Sequence, residues 1–291
     1  MKRQVELAKQ YGISGFCFYY YWFNGQKLLE KPIELLLKDK SIDMPFCLFW
    51  DSNHWTKTWN GGKDNEIMYH QTIDEDTAKR FMDDFIKFAK DERYIKINKK
   101  PVFIISTPNT FEKEKFISFI CEIRNIAKKN GFDDLFLMSI RGNISEENIQ
   151  NMNLDAMLEF FPCGIDDLVS VKPTKIINTK FTGQVYDMEK FISRKKYLYN
   201  SSCKLFKSCF PNWDNTPRKC YKKGRIYQSN PVLYKTWLKD IIKWTKENHN
   251  NDEQFVFINA WNEWAEGAHL EPDQKYGYAF LKATKEALEE S

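Results

Sequence analysis

The sequence has few histidines, no paired-cysteine motif and no long apolar run. The longest apolar stretch, GFCFYYYWF, is too short to span a bilayer, so no transmembrane segment is expected. Seven cysteines occur without C-x-x-C spacing, an odd number that is typical of free thiols in a reducing cytoplasm. The four histidines are dispersed along the chain, so no metal site is expected. These histidines are His54, His70, His249 and His269.

Further absences concern cofactors and nucleic acid. Neither G-x-G-x-x-G nor a P-loop string occurs, so no cofactor is predicted. The net charge of +4, with 29% charged residues, is too balanced to indicate a nucleic-acid partner, and no nucleic-acid-binding signature is present. The chain of 291 residues, 42% of them hydrophobic, can bury one large core. No linker or repeat divides it, so we predict a single domain over residues 1–291.

Apolar runs rich in β-branched and aromatic residues recur along the chain and alternate with helical patterns. They predict seven strands, at Gly15–Phe23, Pro45–Trp50, Val102–Ser106, Leu135–Ile140, Ala156–Phe161, Leu205–Phe210 and Phe255–Ala260. Strands that alternate with helices indicate an α/β fold with a parallel sheet, and the polar loops after the strands suit a (β/α)₈ TIM-barrel-like fold. Because the chain opens on a helix, Arg3–Tyr11, we expect this barrel to lack its first strand.

The most informative segment is FVFINAWNEWAEG, near the C-terminus. Its apolar run ends in polar and aromatic residues that include Glu263 and Glu266, three positions apart. Glycosidic bond chemistry needs two carboxyl groups, one to protonate the leaving oxygen and one to act as base or nucleophile. We therefore predict that Glu263 and Glu266 are catalytic. The alternative is that they are solvated loop charges or help to start the next helix.

Aromatic residues also follow other predicted strands. The loop after the second strand carries Asn53, His54, Trp55 and Trp59, and indole faces beside hydrogen-bonding side chains suit a sugar subsite. Local aromatic packing is the alternative. Two more tryptophans are candidate substrate contacts, Trp22 on the first strand and Trp213 after the sixth. Residues 19–22 alternate between the two faces of their strand, so at most half of them can reach a pocket.

One stretch has a strong charge bias. Residues 194–225 contain ten lysines or arginines and a single acid, Asp214. A solvated face is the ordinary explanation for such a stretch. The functional alternative is that it binds an anionic surface, either a lipid-linked carrier or an acidic glycan.

Four motifs together resemble one protein family. They are YGISGFCFYYYWFNGQKLLEKP, the W-x-x-x-x-W-T-x-x-W-x-G loop, WDNTPR and FINAWNEWAEGAHLEPDQKYG. The resemblance is to the WbsX family of glycosyltransferases, whose domain is similar to the endo-α-mannosidase-like (β/α)₈ enzymes of glycoside hydrolase family 99. It implies that Glu263 is the base toward the sugar 2-hydroxyl and Glu266 the general acid/base, in a retaining route through a 1,2-anhydro sugar. It also implies substrate contacts at Asn262 and Glu271.

The function that follows is a carbohydrate-active enzyme, a glycosyltransferase or a retaining glycoside hydrolase. Its expected substrate is an oligosaccharide or lipid-linked glycan in cell-surface polysaccharide or lipopolysaccharide biosynthesis. Two alternatives stay open, namely a metal-independent nucleotide-sugar transferase and a non-catalytic glycan-binding protein. Members of the family have a first strand that is not visible here. We therefore expect a version extended upstream by that strand to be more stable and more active.

Overall fold

The structure is a computed structural model that describes residues 1–57, 66–74, 76–165, 168–172 and 178–291, with residues 220–222 described by their backbone alone. The helices are α1 Lys2–Gln10, α2 Lys31–Lys38, α3 Thr77–Ala89, α4 Lys113–Lys129, α5 Glu146–Asn151, α6 Met188–Arg194, α7 Thr216–Lys223, α8 Pro231–Asn248 and α9 Ala279–Glu289.

The strands include one in each of the seven predicted runs, and several short ones besides. They are β1 Phe16–Phe23, β2 Gln26–Leu28, β3 Phe46–Trp50, β4 Trp55–Thr56, β5 Ile67–Tyr69, β6 Lys96–Ile97, β7 Lys100–Ile105, β8 Phe136–Ile140, β9 Ala156–Leu158, β10 Gln184–Asp187, β11 Leu205–Cys209, β12 Trp213–Asp214, β13 Arg225–Gln228, β14 Val256–Ile258, β15 Asn262–Glu263 and β16 Ala268–His269. Each predicted run thus contains a strand, and the number of strands in the predicted barrel stays a prediction.

The chain forms two compact units, each assembled from separate segments. The first contains Met1–Trp55, Ile67–Leu158 and Ser201–Leu205, and the second contains Thr56–Glu66, Glu159–Asn200 and Phe206–Ser291. The prediction of one domain over residues 1–291 stays a prediction.

The first unit is built on a parallel sheet in the order β9-β8-β7-β3-β1. Strands β3 and β8 are buried along their whole length and β7 is buried from Pro101 onward, as expected of a parallel sheet covered by helices. The core is strongly aromatic. Phe81 of α3 lies 5.2 Å from Trp50 and 5.1 Å from Phe103, measured between ring centroids. The predicted α/β class with a parallel sheet is thus confirmed.

The second unit contains a parallel strand pair, a three-stranded sheet and a hairpin. Strand β14 pairs in parallel with β11, with Cys209 opposite Ile258. Strand β13 pairs with β10 on one side and with β12 on the other. Helix α8 begins after Asn230, whose side-chain oxygen accepts hydrogen bonds from the backbone N–H groups of Val232 and Leu233. Strands β15 and β16 form the hairpin that carries both predicted catalytic glutamates.

Candidate functional site

The two glutamates lie on a tight hairpin that follows β14. Glu263 ends β15, where it is paired with Ala268, and Glu266 ends a 3-10 turn that begins at Trp264. Gly267 closes this turn with a φ of +61°, in the left-handed region that favours glycine. The three-residue spacing in the sequence therefore places both carboxylates on one short, connected piece of backbone.

Both glutamates have raised pKa values. Burial raises the pKa of Glu266 to about 7, against the opposing effect of the Arg218 guanidinium, and the charge of Glu263 adds to the increase. The pKa of Glu263 is also raised by burial and lowered by Arg218. The positive charge of Arg218 thus lowers the pKa of both carboxyl groups. A carboxyl group with a pKa near neutrality is suited to general acid catalysis.

Arg218 is a site residue that the sequence analysis missed. It lies on α7, and its guanidinium donates a hydrogen bond to the Glu266 carboxylate. The turn before α7 contacts the hairpin, because a Cβ added to Gly267 would lie 3.0 Å from the backbone nitrogen of Asp214. Asp214 in turn accepts hydrogen bonds from the backbone and hydroxyl of Thr216. The only sequence signal for Arg218 was its place in the WDNTPR motif.

An exposed tryptophan stands on the same hairpin. The indole of Trp264 is 48% exposed and stacks on the His269 ring, with centroids 3.8 Å apart and planes 15° apart. Its Nε1 donates to the carboxylate of Glu271 at 2.8 Å. Glu271, a predicted substrate contact, thus holds the tryptophan in place. Asn262, the other contact implied by the resemblance, is exposed on β15.

Two of the predicted aromatic contacts lie in the core. Trp22 is fully buried and packs edge-on against Phe81, with 5.2 Å between ring centroids. Trp213 is 7% exposed and packs against Phe210 and Tyr227. The prediction that Trp22 and Trp213 contact substrate disagrees with these positions, because neither indole presents a free face. The positions support packing roles for both.

The other face of β1 is the more accessible one. Tyr19 and Tyr21 are half-buried and stack with 5.7 Å between their centroids, and Tyr21 lies 4.9 Å from Trp55. Residues 19–22 therefore alternate as expected, but the more accessible side chains are Tyr19 and Tyr21, and Trp22 is buried. A one-residue difference in phase reverses which side chains face outward.

The loop after β3 is organised by a buried aspartate. Asp51 accepts hydrogen bonds from Asn53 Nδ2 at 2.7 Å and from Trp55 Nε1 at 3.4 Å. His54 Nδ1 accepts from the backbone N–H of Gln71 at 2.9 Å, and burial together with neighbouring His70 lowers the pKa of His54. The structure thus brings Asn53, His54 and Trp55 together. Trp59, the fourth predicted member of this subsite, lies outside the described residues.

The basic stretch at 194–225 does not form one solvated face. Lys195 pairs with Asp240 at 3.1 Å, and Arg218 pairs with Glu266. Lys207 is fully buried, and its Nζ lies 3.0 Å from a carboxylate oxygen of Glu159. This buried pair could not be predicted from the sequence, because its two residues are far apart in the chain and lie in apolar runs.

The described part of the chain shows neither a cluster of metal ligands nor a membrane-spanning helix. Within those ranges, no group of three or more His, Cys, Asp and Glu side chains is arranged to hold a metal ion. Of the helices in the same ranges, none combines the length and apolar character needed to cross a membrane.

Comparison with known proteins gives both a family and a fold. The family described as "Glycosyltransferase WbsX" matches residues 1–284. The uncharacterized protein WxcX of Xanthomonas campestris pv. campestris is 32% identical over 289 residues, which is 99% of this chain and 41% of that protein. The same protein from a second strain matches to the same extent. The chain therefore spans about two fifths of the length of these relatives.

Solved structures are similar in fold at low sequence identity. A glycoside hydrolase-like protein aligns with a TM-score of 0.63 at 13% identity and covers 98% of this chain and 84% of its own. The GH99 endo-alpha-mannosidase from Bacteroides thetaiotaomicron aligns with a TM-score of 0.58, also at 13% identity, over 99% of this chain and 78% of its own. These alignments show a mixed α/β fold that is similar to the fold of these TIM-barrel-like proteins.

Proposed function

The chain belongs to the glycosyltransferase WbsX family, and from this premise we propose that it breaks or transfers a glycosidic bond with Glu263 and Glu266 as its catalytic carboxylates. The observation that carries the proposal is the hairpin of β15 and β16. It holds two carboxyl groups with raised pKa values, one of them at about 7, beside an arginine. Glycosidic bond chemistry of this kind needs one carboxyl group that donates a proton and a second that accepts one.

The proposed reaction retains configuration and proceeds through a 1,2-anhydro sugar. Ionised Glu263 takes the proton of the sugar 2-hydroxyl, and the 2-oxygen attacks the anomeric carbon. Protonated Glu266 gives its proton to the departing glycosidic oxygen. In the second half, Glu266 removes a proton from water or from an acceptor hydroxyl, and the oxygen of that group bonds to the anomeric carbon as the bond from this carbon to the 2-oxygen breaks. Glu263 returns its proton to the 2-oxygen. Every proton that leaves a glutamate in one half returns in the other.

Trp264 is the proposed sugar platform of this site. Its exposed indole is fixed from two sides, by stacking on His269 and by the hydrogen bond to Glu271. A fixed aromatic face binds the apolar face of a pyranose ring at little cost in side-chain entropy. Asn262, Asn53, His54 and Trp55 remain proposed substrate contacts.

Two finer proposals come from the family. We propose that the substrate is an oligosaccharide or a lipid-linked glycan used in cell-surface polysaccharide or lipopolysaccharide assembly, and that the reaction takes place in the cytoplasm. Whether water or a sugar hydroxyl receives the glycosyl group depends on how well the occupied site excludes water. Both outcomes use the same pair of carboxylates.

A nucleotide-sugar transferase is the second candidate. The observation in its favour is that Lys219, which follows Arg218 on α7, is close enough to Glu266 to affect its pKa. Cationic side chains at this position suit the diphosphate of a nucleotide sugar.

The test is turnover of α-linked oligosaccharides, including α-mannosides, without any nucleotide sugar. We expect Glu263→Gln and Glu266→Gln each to lower turnover by roughly two to four orders of magnitude, because each removes a proton-transfer group. Product stereochemistry by NMR should show retention. The exposed Glu247→Gln in the same unit is the control, since it makes the same chemical change away from the hairpin.

The alternatives give different results. Wild-type rates in the folded Glu266→Gln variant would remove Glu266 from the catalytic assignment, and the same holds for Glu263. Turnover that requires a nucleotide sugar would identify the second candidate. Glycan binding without turnover under either condition would identify a binding protein.

A further inference from the structure

A cationic cavity lies in the second unit, beside the helix that carries Arg218. It has a volume of about 560 Å³. Three of its lining residues are the cations Lys219, Lys223 and Arg225, and among the residues that the structure describes none of those lining it is acidic. A volume of this size is within the range of small-molecule sites. The composition therefore favours an anionic ligand.

A second cavity in the same unit serves as a comparison. It has a similar volume, about 570 Å³, and also three lysines, Lys239, Lys243 and Lys246, but its lining includes three acids as well. There Lys239 pairs with Glu290 at 3.0 Å. A group of lysines therefore does not distinguish one cavity from the other. The difference is that the described lining of the first cavity contains no carboxylate.

The wall of the cationic cavity is a fixed framework. The backbone N–H of Arg225 donates to Asn215 Oδ1 at 2.7 Å, which joins β13 to the start of α7. The backbone N–H of Gln184 donates to the carbonyl of Gly224 at 2.9 Å. Strand β10 approaches so closely here that a Cβ at Gly183 would lie 2.3 Å from that carbonyl oxygen. The cations are therefore presented by backbone that is held in place.

The cations are also crowded. Lys219 is half-buried, and burial together with the charges of Arg218 and Lys223 lowers its pKa. An anion between Lys219 and Lys223 would remove this repulsion. A phosphate group carries a charge of about −1.5 to −2 at neutral pH and balances several cations better than a carboxylate does.

We propose that this cavity binds a phosphate or diphosphate group carried by the glycan substrate. That the ligand is part of the substrate rests on the proposed function. Helix α7 would then have two tasks, since Arg218 contacts Glu266 while Lys219 and Lys223 hold the anion. The phosphorylated end of the substrate would be anchored by the same helix that contacts the proposed general acid.

The first experiment measures binding of inorganic pyrophosphate to the whole chain by isothermal titration calorimetry at low ionic strength. We expect Lys219→Gln and Lys223→Gln each to weaken binding by about tenfold, because each removes a charge-assisted contact. Lys243→Gln in the comparison cavity makes the same change in charge and should leave the affinity unchanged. Equal affinities in all four proteins, an equal loss in the control, or no binding by the wild type would overturn the proposal.

The second experiment identifies the source of the phosphate. Uridine diphosphate, geranyl diphosphate and mannose 6-phosphate represent a nucleotide sugar, a lipid-linked glycan and a phosphorylated glycan. A probe that binds the wild type more tightly than pyrophosphate does, and that binds Lys223→Gln more weakly, identifies the molecule that carries the phosphate. Equal affinity for all three probes supports recognition of the phosphate group alone. Independence of all three affinities from Lys219 and Lys223 would overturn the proposal.

The site and the proposed function can fail separately. Glu263→Gln should keep the wild-type affinity for pyrophosphate even where turnover is lost. If the lysine-dependent binding is found but no glycan is ever turned over, the anion site stands and the proposed function fails. If glycans are turned over and no lysine-dependent binding is found, only the anion site is wrong.

Discussion

At the scale of single residues, the ionisation of Glu266 depends on opposing effects. Burial raises its pKa to about 7, and the guanidinium of Arg218 holds the value down by favouring the charged form. Arg218 is therefore proposed as a positioning residue that orients the general acid and sets its protonation. The consequence for catalysis is visible in a pH profile, because only protonated Glu266 can donate to the leaving oxygen.

Replacing Arg218 by glutamine should move the alkaline limb of the kcat/KM profile to higher pH. The physical reason is that the variant lacks the positive charge that favours ionised Glu266. The measurement is kcat/KM between pH 5 and pH 9. Arg194→Gln, an exposed arginine of the same unit, is the control for the loss of one charge. An alkaline limb at the wild-type position would show that Arg218 does not control Glu266.

A second prediction concerns the buried pair of Lys207 and Glu159. Lys207→Met leaves the Glu159 carboxylate buried without its cation and should lower the free energy of unfolding by about 3–5 kcal/mol. The double variant with Glu159→Leu should recover part of this loss, because no uncompensated charge remains. Urea unfolding measures both.

The control for that prediction is Lys243→Met, which disrupts an exposed pair with Glu247 and should cost less than about 1 kcal/mol. A Lys207→Met variant as stable as this control would show that the buried pair contributes little. A double variant less stable than Lys207→Met would show that packing, and not unpaired charge, dominates.

At the scale of elements, the catalytic hairpin depends on one close contact between backbones. Gly267 has a positive φ, and a Cβ added to it would lie 3.0 Å from the backbone nitrogen of Asp214. The hairpin and the turn before α7 are thus held together at a point where a side chain does not fit. This contact sets where Glu266 lies relative to Arg218.

Gly267→Ala should therefore lower kcat by more than its effect on stability explains. Alanine at a positive φ costs about 1 kcal/mol, and here the backbone must also shift away from Asp214. Gly131→Ala is a matched control, because its φ is +90° but nothing lies within 4 Å of an added Cβ. The two variants are compared in urea unfolding and in turnover. Equal kcat in both would argue against the contact as a positioning device.

At the scale of the whole molecule, two groups of carboxylates make stability depend on pH in opposite directions. Asp91 is buried against Arg93 and Lys40, and the hydrogen bond from Arg93 holds the pKa of Asp91 well below its usual range. This stability is present above the ordinary aspartate pKa and is lost as the pH falls. Glu263 and Glu266 have raised pKa values, so folding favours their protonated forms. Their contribution to the free energy of unfolding is therefore lost as the pH rises.

We expect the free energy of unfolding to be highest near pH 5 and to decrease toward pH 8. For Glu266, the difference between about 7 in the folded chain and 4.5 in the unfolded chain corresponds to about 3 kcal/mol. Urea unfolding at pH 5 and pH 8 should therefore show a smaller decrease in Glu266→Gln than in the wild type. Glu247→Gln should behave as the wild type, and an unchanged decrease in Glu266→Gln would contradict the raised pKa.

The expectation of a strand before β1 also belongs to this scale. Residues 16–20 of β1 pair with β3 on one edge, and β2 covers only residues 21–23 on the other. In the described part of the chain, no strand pairs with residues 16–20 on that second edge. The missing first strand and the closed eight-stranded barrel both stay predictions.

The sequence by itself determined the α/β class, the positions of the seven main strands and the family. Continuous apolar runs and amphipathic stripes are local patterns, and a local pattern is enough to place strands and helices. The three-residue spacing also keeps Glu263 and Glu266 close together, whereas the hairpin that holds them is seen only in the structure. Their catalytic role stays a prediction.

Only the tertiary structure decided which side chains face outward and which distant residues meet. In β1, Tyr19 and Tyr21 are half-buried and Trp22 is fully buried, because Phe81 of α3 packs against Trp22. The contact of Arg218 with Glu266 joins residues 48 positions apart. Such pairings depend on how elements pack together, and no local spacing in the sequence encodes them.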